Sequence, residues 1–243
     1  PVMKNILNKI LNFNILNNKS DGFDSLKKIP EVKKIFNIFN LNSINREIRF
    51  VGGCVRKILS KEKVDDIDLA INVEPSEVKK ILDENGIKYI EVGIEHGTVI
   101  AQLNKQKFEI TSLRRDVDTD GRHAKVEFTK NWYEDASRRD FSINSIYSDI
   151  DGNLFDPYDG KKNLKRGKIE FIGSADKRIK EDYLRILRYL RFFINYSKLD
   201  HDIKIKKIIR QNLVGIKQIS KERLLDELKK IFKSKKFLGI CED

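Results

Sequence analysis

A change in the spacing of apolar residues near Pro157 separates this chain into two structural types. Before it, short apolar or alternating runs predict strands over 48–51, 67–71, 89–92, 98–103 and 107–112, with helices over 54–60 and 74–85 among them. Beyond it, apolar residues recur at helical spacing over 175–196, 203–212 and 221–232. The pattern predicts an α/β head, a mixed sheet with helices, over residues 46–156, and an all-α neck and partial body over residues 157–243.

The remaining segments are less regular. Residues 1–45 are predicted as an N-terminal helical extension, packed on the body or a mobile arm, with a helix that begins at Pro30. An organelle presequence favours Arg and Ser, which are absent before Ser20, so we expect a cytoplasmic protein. Met3, after Pro1 and Val2, is the expected native start. Residues 114–125 show no apolar periodicity and predict a mobile loop, whereas residues 132–139 predict a helix. Residues 143–149 and 153–155 predict a hairpin.

Composition excludes several classes of protein. The 243 residues include two cysteines, Cys54 and Cys241, and three histidines, which argues against a disulfide scaffold and against a histidine-based metalloenzyme. Nothing approaches the ~18 consecutive apolar residues that a membrane-spanning helix needs. A hydrophobic content of 40% is enough for a folded core.

The net charge of +12 is concentrated in the C-terminal third. Residues 1–160 carry 25 basic and 26 acidic side chains, whereas residues 161–243 carry 24 basic and 11 acidic. Such an asymmetry predicts a polyanion partner, RNA above all, for the C-terminal segment. A general bias of the sequence towards lysine is the other explanation.

Gly52 and Gly53 stand between a predicted strand and a predicted helix, with Arg56 one turn into that helix. Glycines at such a turn let the backbone approach a phosphate, and the helix N-terminus offers free N–H groups. Arg56 would add a bidentate contact. The chain has no Walker motif and no G-x-G-x-x-G, so the pattern fits either a phosphate-binding turn or a purely structural one.

Asp66 and Asp68 flank Ile67 at the beginning of a predicted strand. Residues i and i+2 of a strand project from one face, and two carboxylates placed side by side repel each other unless a cation joins them. Mg²⁺ suits such a pair, because it combines few carboxylates with substrate phosphate oxygens. The pair predicts a Mg²⁺ site, with Glu109 on a later strand as a third carboxylate. A solvated acidic turn is the alternative.

Four charged residues interrupt the apolar helix predicted over 175–196 at every third position: Asp182, Arg185, Arg188 and Arg191. A helix that is apolar nearly all round is buried, and charges on it must be paired or must line a ligand cleft. Both interpretations are open on this pattern alone.

Five segments resemble, in order and spacing, the motifs of one family. They are Val51-Gly-Gly-Cys-Val-Arg56, Asp66-Ile-Asp-Leu-Ala70, Arg138-Arg-Asp-Phe141 with Asn144, Glu181-Asp-Tyr-Leu-Arg-Ile-Leu-Arg188 with Arg191, and Ile219-Ser-Lys-Glu-Arg223 with Glu227. Over about residues 46–232 the chain is similar to the class II nucleotidyltransferases, which are the tRNA CCA-adding enzymes and bacterial poly(A) polymerases. One departure is Lys57, where the family usually has Asp.

The resemblance implies a polymerase-β-like nucleotidyltransferase head with Mg²⁺ as its cofactor. Asp66 and Asp68 would hold the metal, with Glu109 as the third catalytic acid, while Gly53, Arg56 and Arg139 would contact the triphosphate. The 3′-hydroxyl of an RNA would attack the α-phosphate of a nucleotide and release pyrophosphate.

The resemblance also implies that the neck selects the nucleobase. C and A present an exocyclic amine beside an unprotonated ring nitrogen, whereas U and G reverse that pair. Asp182 would accept from the amine and Arg185 would donate to the ring nitrogen. Arg188 and Arg191 would complete the nucleotide pocket, so CTP and ATP are the expected substrates.

The segment Glu95-His-Gly-Thr-Val99 and residues 109–125 look like those of CCA-adding enzymes, and the basic Gly-Arg-Arg-Phe element typical of bacterial poly(A) polymerases is absent. We therefore expect CCA addition to the 3′ end of tRNA. Poly(A) addition, CC-only or A-only addition, and a non-catalytic RNA-binding module are the alternatives.

Overall fold

The computed structural model describes residues 21–40, 46–92, 97–119, 124–234 and 236–237. The helix predicted in the first 20 residues, and the predicted motif residues Glu95 and His96, lie outside these ranges.

Strands occupy the first two thirds of the described chain. They are β1 (Ile48–Val51), β2 (Ile67–Ile71), β3 (Lys88–Glu91), β4 (Thr98–Leu103), β5 (Gln106–Ser112), β6 (Arg114–Thr119), β7 (Ala124–Phe128), β8 (Tyr147–Ser148) and β9 (Leu154–Phe155). Seven of them form one mixed sheet in the order β3-β4-β5-β2-β1-β8-β9, in which β2 and β5 are parallel and the other neighbours antiparallel. β6 and β7 form a separate two-stranded ribbon.

Helices flank the sheet and make up the C-terminal segment. They are α1 (Asp24–Lys27), α2 (Pro30–Asn40), α3 (Gly52–Leu59), α4 (Pro75–Glu84), α5 (Trp132–Ser137), α6 (Gly160–Arg166), α7 (Ala175–Glu181), α8 (Leu184–Tyr196), α9 (Ile203–Asn212) and α10 (Lys221–Phe232). No helix in the described ranges is long and apolar enough to cross a membrane. The α/β head followed by an all-helical segment is confirmed.

The core of the head is built from the alternating residues of its central strands. Leu69 on β2 and Ile110 on β5 are paired in register and buried. Phe50 on β1 is fully buried against Phe36 of α2, with ring centroids 4.7 Å apart. A second core, in which Phe141, Phe171 and Phe192 are buried, joins the end of the head to α8. The two cores hold the sheet and the neck helices against each other.

The structure corrects the predictions in three places. Residues 114–125 are predicted to be a mobile loop, but the described part forms β6 and the beginning of β7. The helix expected over 175–196 is broken at Asp182, whose backbone is extended (φ −157°, ψ 105°). Of the strand expected over 143–149 only Tyr147–Ser148 is a strand, because Ser142–Asn144 form a 3₁₀ turn.

Candidate active site in a cleft between the head and the neck

The turn from β1 into α3 brings backbone directly against a carboxylate. Gly52 has a φ angle of +62°, a backbone conformation that residues other than glycine adopt only with strain. At Gly53, a Cβ atom would lie 3.1 Å from Oδ2 of Asp68. The glycine pair thus lets the first turn of α3 and the carboxylate on β2 share one wall of a cleft. Gly52 and Gly53 therefore lie at a turn from a strand into a helix, as the sequence predicts.

The three predicted carboxylates influence one another electrostatically. Asp68 on β2 is paired in register with Glu109 on β5, and Asp66 lies exposed, one residue before β2. Burial, followed by the charges of Glu109 and Asp66, raises the pKa of Asp68 to about 6, against a hydrogen bond from the Cys54 backbone and the charge of Arg139. Burial and Asp66 also raise the pKa of Glu109. The repulsion among these three carboxylates favours the binding of a cation.

Without a bound substrate, the predicted carboxylates supply only part of the oxygen ligands that Mg²⁺ requires. Among the described residues, no three His, Cys, Asp or Glu side chains close around one point as a metal cage would require. Mg²⁺ is commonly held by one or two carboxylates, with water and substrate phosphate supplying the other oxygens. Mutual repulsion between Asp68 and its acidic neighbours is what such a cation relieves.

Arg139 is held on the far side of the glycine turn by a buried network. Its guanidinium contacts Asp135 Oδ2 at 3.0 Å and donates to the Tyr147 hydroxyl at 2.9 Å. Arg138 binds the other oxygen of Asp135 at 2.7 Å. Burial by itself raises the pKa of Asp135, but the two arginines outweigh it and hold that pKa well below the usual range. Asp135 therefore stays ionised and fixes both guanidinium groups.

Arg56 is buried beneath the cleft rather than extended into solvent. It donates to the side-chain oxygen of Asn144, and its guanidinium lies over the rings of Phe192 and Tyr196, at 4.7 and 5.1 Å. Its Nε is buried without a hydrogen-bond partner in the described part of the chain. Cation–π contacts with α8 thus couple the predicted phosphate-binding helix to the neck. The neighbouring Lys57, which departs from the family pattern, forms an ion pair with Asp65 at 3.0 Å.

The neck residues make different pairs from those that a continuous helix implies. Asp182, in the break between α7 and α8, accepts from the Leu184 N–H at 3.1 Å and from Arg223 of α10 at 2.8 Å. Arg185 pairs with Glu181 at 2.7 Å. Among these described residues no ion pair joins the side chains of Asp182 and Arg185; the Arg185 N–H donates instead to the Asp182 carbonyl at 3.0 Å, because the helix begins only after Asp182.

The two remaining neck arginines are paired across elements. Arg188 contacts Asp140 Oδ2 at 2.6 Å, and Arg191 donates to Glu227 of α10 at 2.5 Å. Asp140 and Glu227 are buried, so both interpretations of the arginine stripe hold together: the arginines are paired, and they also line the cleft.

Most of the predicted site residues border one cleft of about 660 Å³. Of the predicted site residues, Asp66 alone is outside its lining; the others that line it are Gly53, Arg56, Asp68, Glu109, Arg139, Asp182, Arg185, Arg188 and Arg191. Nine basic and four acidic side chains line the cleft, so it favours an anion. Its volume is that of a drug-sized ligand site.

Sequence reasoning missed several residues that hold the site. Asp135 and Tyr147 support Arg139, Glu181 pairs with Arg185, and Arg223 binds Asp182. Glu181 and Arg223 stand in the quoted motifs, but no role was assigned to either. The sequence around Asp135, Glu181 and Arg223 is rich in charged residues, so no local pattern distinguished them from solvated surface charges.

Family models match the chain at both of its parts. One described as "Poly A polymerase head domain" matches residues 48–170, and one described as "Probable RNA and SrmB- binding site of polymerase A" matches residues 200–239. Human mitochondrial CCA tRNA nucleotidyltransferase 1 is 48% identical over 190 residues, which are 77% of this chain and 44% of that protein. The CCA-adding enzyme of Oceanobacillus iheyensis is 38% identical over 187 residues, 75% of this chain and 45% of that protein.

Solved structures of CCA-adding enzymes also resemble this chain in fold. The Bacillus stearothermophilus CCA-adding enzyme in complex with CTP superposes with a TM-score of 0.74 at 31% identity, covering 86% of this chain and 50% of that one. A tRNA nucleotidyltransferase complexed with a primer tRNA and an incoming ATP analog superposes with a TM-score of 0.66 at 29% identity, covering 81% and 56%. The chain thus spans about half the length of the relatives it matches.

Proposed function

This chain belongs to the class II nucleotidyltransferase family of CCA-adding enzymes and poly(A) polymerases, and we propose that it adds C and A, from CTP and ATP, to the 3′ end of tRNA. One observation carries the proposal: Asp68 and Asp182 line the same cleft, together with Arg139. In this proposal Asp68 would bind the metal, Arg139 would bind the triphosphate and Asp182 would select the base, so that the protein rather than a template chooses the nucleotide.

The catalytic half of the cleft is the head. Asp68 and Asp66 would hold Mg²⁺, which when bound would lower the pKa of the attacking 3′-hydroxyl and neutralise charge on the transferred phosphate. Glu109 would add the third negative charge, opposite Asp68 in register. Gly53 would allow close approach of the triphosphate, and Arg139, fixed by Asp135, would bind its oxygens.

The selective half is the neck. The carboxylate of Asp182 accepts hydrogen bonds, so it would take the exocyclic amine of C or A and would repel the carbonyl that U and G present there. Arg185 would donate to the neighbouring ring nitrogen once the base lies between them. Arg188 and Arg191, both over the ring of Phe192 at 5.5 and 4.2 Å, would close the pocket around the nucleotide.

Other activities are compatible with the same cleft and rank below CCA addition in this proposal. Poly(A), CC-only and A-only addition would use the same carboxylates and would differ in which nucleotide is added. A non-catalytic RNA-binding module would make Asp66 and Asp68 dispensable. The names of the matched relatives favour CCA addition.

Incubation of the chain with tRNA lacking its 3′ end, Mg²⁺ and each labelled nucleotide in turn tests this function. We expect label from CTP, label from ATP on tRNA that already ends in CC, and none from UTP or GTP. Long tails from ATP alone would indicate a poly(A) polymerase. RNA binding without any incorporation would contradict an enzymatic role.

We also propose the domain limits 1–45, 46–156 and 157–243 and a cytoplasmic location. The human relative is mitochondrial, so the location calls for fractionation of the source cells beside a mitochondrial marker.

A further inference from the structure

A second basic depression lies at the opposite end of α3 from Gly53. It has a volume of about 650 Å³ and is bordered by the ends of α3 and α8, by α6 and by the chain after α10. We call it the lysine groove, and its charged lining consists of Lys61, Lys161, Lys165, Lys198, Lys236 and a single acid, Glu62. Four separate parts of the fold therefore bring positive charge to one place.

Within the described ranges none of the groove lysines forms an ion pair with a carboxylate, although the charge of Lys161 acts on Asp156 and works to lower the pKa of that carboxyl group. Lys198 and Lys236 donate to the backbone carbonyls of Lys165 and Asn195, at 3.2 and 2.5 Å, which accept a hydrogen bond but carry no charge. Glu62 accepts from the Tyr196 hydroxyl at 3.2 Å.

Some lysines elsewhere on the head and neck pair with carboxylates, such as Lys57 with Asp65 and Lys180 with Asp176. Lys161 and Lys165 lie four residues apart on α6, where like charges repel each other across one helical turn. The arrangement costs stability in the free protein and gains it when an anion is bound.

The groove and the cleft are the two ends of one contact between α3 and α8. α3 runs eight residues, about 12 Å, from Gly52 in the cleft to Leu59 in the groove. Arg56, stacked on Phe192 and Tyr196, forms the partition between them. The cleft and the groove therefore lie at opposite ends of one short helix.

The chemistry of the groove suits a phosphodiester backbone better than a single phosphate. Lysine ammonium groups act as point charges without the fork geometry that fixes one oxyanion, so they bind phosphates regardless of sequence. Five of them spread over four elements exceed what one phosphate can contact at once.

We propose that the lysine groove binds the phosphodiester backbone of the RNA whose 3′ end enters the cleft. The proposal rests on the proposed function and extends the RNA footprint beyond residues 161–243, onto Lys61 of the head. The groove contributes affinity for RNA and none for the nucleotide.

The double variant Lys161→Gln/Lys165→Gln tests this in the full chain. Its matched control is Lys33→Gln/Lys34→Gln, which removes the same charge from two exposed positions of α2 outside both the cleft and the groove. Fluorescence anisotropy with tRNA lacking its 3′ end, over a series of salt concentrations, measures affinity and its salt slope. Calorimetry with CTP and with pyrophosphate measures small-anion binding, and thermal unfolding verifies the fold.

We expect the groove variant to bind RNA on the order of tenfold more weakly, with a salt slope reduced by roughly 1.4–1.8, since each phosphate contact contributes about 0.7–0.9. CTP and pyrophosphate affinity should stay within twofold of wild type, as should RNA affinity of the control. Lys61→Gln alone should reduce the slope by about 0.7–0.9.

Equal RNA affinity and slope in the groove and control variants would overturn the inference, as would weaker pyrophosphate binding with unchanged RNA binding. Failure of the wild-type chain to bind RNA would instead overturn the proposed function itself. If the double variant does not fold, Lys61→Gln and Lys165→Gln, both at exposed positions, carry the same comparison.

Discussion

Arg223 of α10 donates to Oδ2 of Asp182 over 2.8 Å, which ties the last helix of the neck to the break between α7 and α8. The other carboxylate oxygen of Asp182 accepts the Leu184 N–H that begins α8. Both oxygens are therefore aimed by the protein before any base arrives. A carboxylate fixed in this way loses less entropy on binding an amine than a freely rotating one does.

We predict that Arg223→Met weakens discrimination without weakening the fold. The side chain of Arg223 is 53% exposed, so its ion pair contributes little to stability. Loss of one aligned hydrogen bond, worth about 0.5–1.5 kcal/mol, should reduce the preference for CTP and ATP over UTP and GTP roughly three- to tenfold. Lys221→Met, an exposed position on the same helix, is the control. Equal selectivity in both variants would remove Arg223 from the site.

Asp68→Asn should abolish nucleotide transfer while leaving thermal stability equal or higher in the presence of EDTA. The reason is that Asp68 is repelled by Glu109 and Asp66, so the neutral amide removes a cost of folding along with a metal ligand. Asp65→Asn removes an exposed carboxylate three residues away and should leave transfer intact. Transfer retained by Asp68→Asn would contradict the assignment of the metal site.

Asp135 should dominate the acid sensitivity of the fold. Its pKa is held low by Arg139 and Arg138, so its stabilising charge is fully present above its unfolded pKa, about 3.9, and is lost as the pH falls below that value. Asp135→Asn leaves two guanidinium groups, only 15% and 17% exposed, without their buried counter-ion and should cost about 3 kcal/mol at pH 7. The difference from wild type should shrink between pH 4 and pH 2 in thermal unfolding. A constant difference over that range would show that the charge of Asp135 is not the stabilising feature.

The head was predictable because its pattern is local. Asp68 and Leu69 alternate across β2, and Gly52 needs a left-handed backbone that few other residues tolerate, so both follow from period and residue type. The neck was predictable as helix but not in detail. Asp182 is compatible with a helix interior, and only its bonds to Leu184 and to Arg223, which is 41 residues distant, show why the helix stops there.

The ribbon of β6 and β7 could not be predicted from a local hydrophobic pattern. Arg115 and Glu127 face each other as an ion pair at 2.8 Å, so this pair of strands is stabilised by cross-strand charges as well as by backbone hydrogen bonds. Such strands carry no hydrophobic period from which they could be recognised. The pairing of Arg139 with Asp135 and Tyr147 could not be predicted from the sequence either. It depends on one turn of helix, which places Asp135 beside Arg139, and on β8, which begins ten residues after α5 ends.

The most direct measurement is sequencing of tRNA 3′ ends after reaction with all four nucleotides, for wild type and Asp182→Ala, beside the melting temperature of each. Asp226→Ala, whose side chain is 69% exposed on α10, serves as the control. We predict that wild type and control add C and A alone, whereas Asp182→Ala also adds U and G, with selectivity lowered roughly ten- to hundredfold at an unchanged melting temperature. An unchanged preference for C and A in a stably folded Asp182→Ala variant would contradict the base-selecting role of this carboxylate.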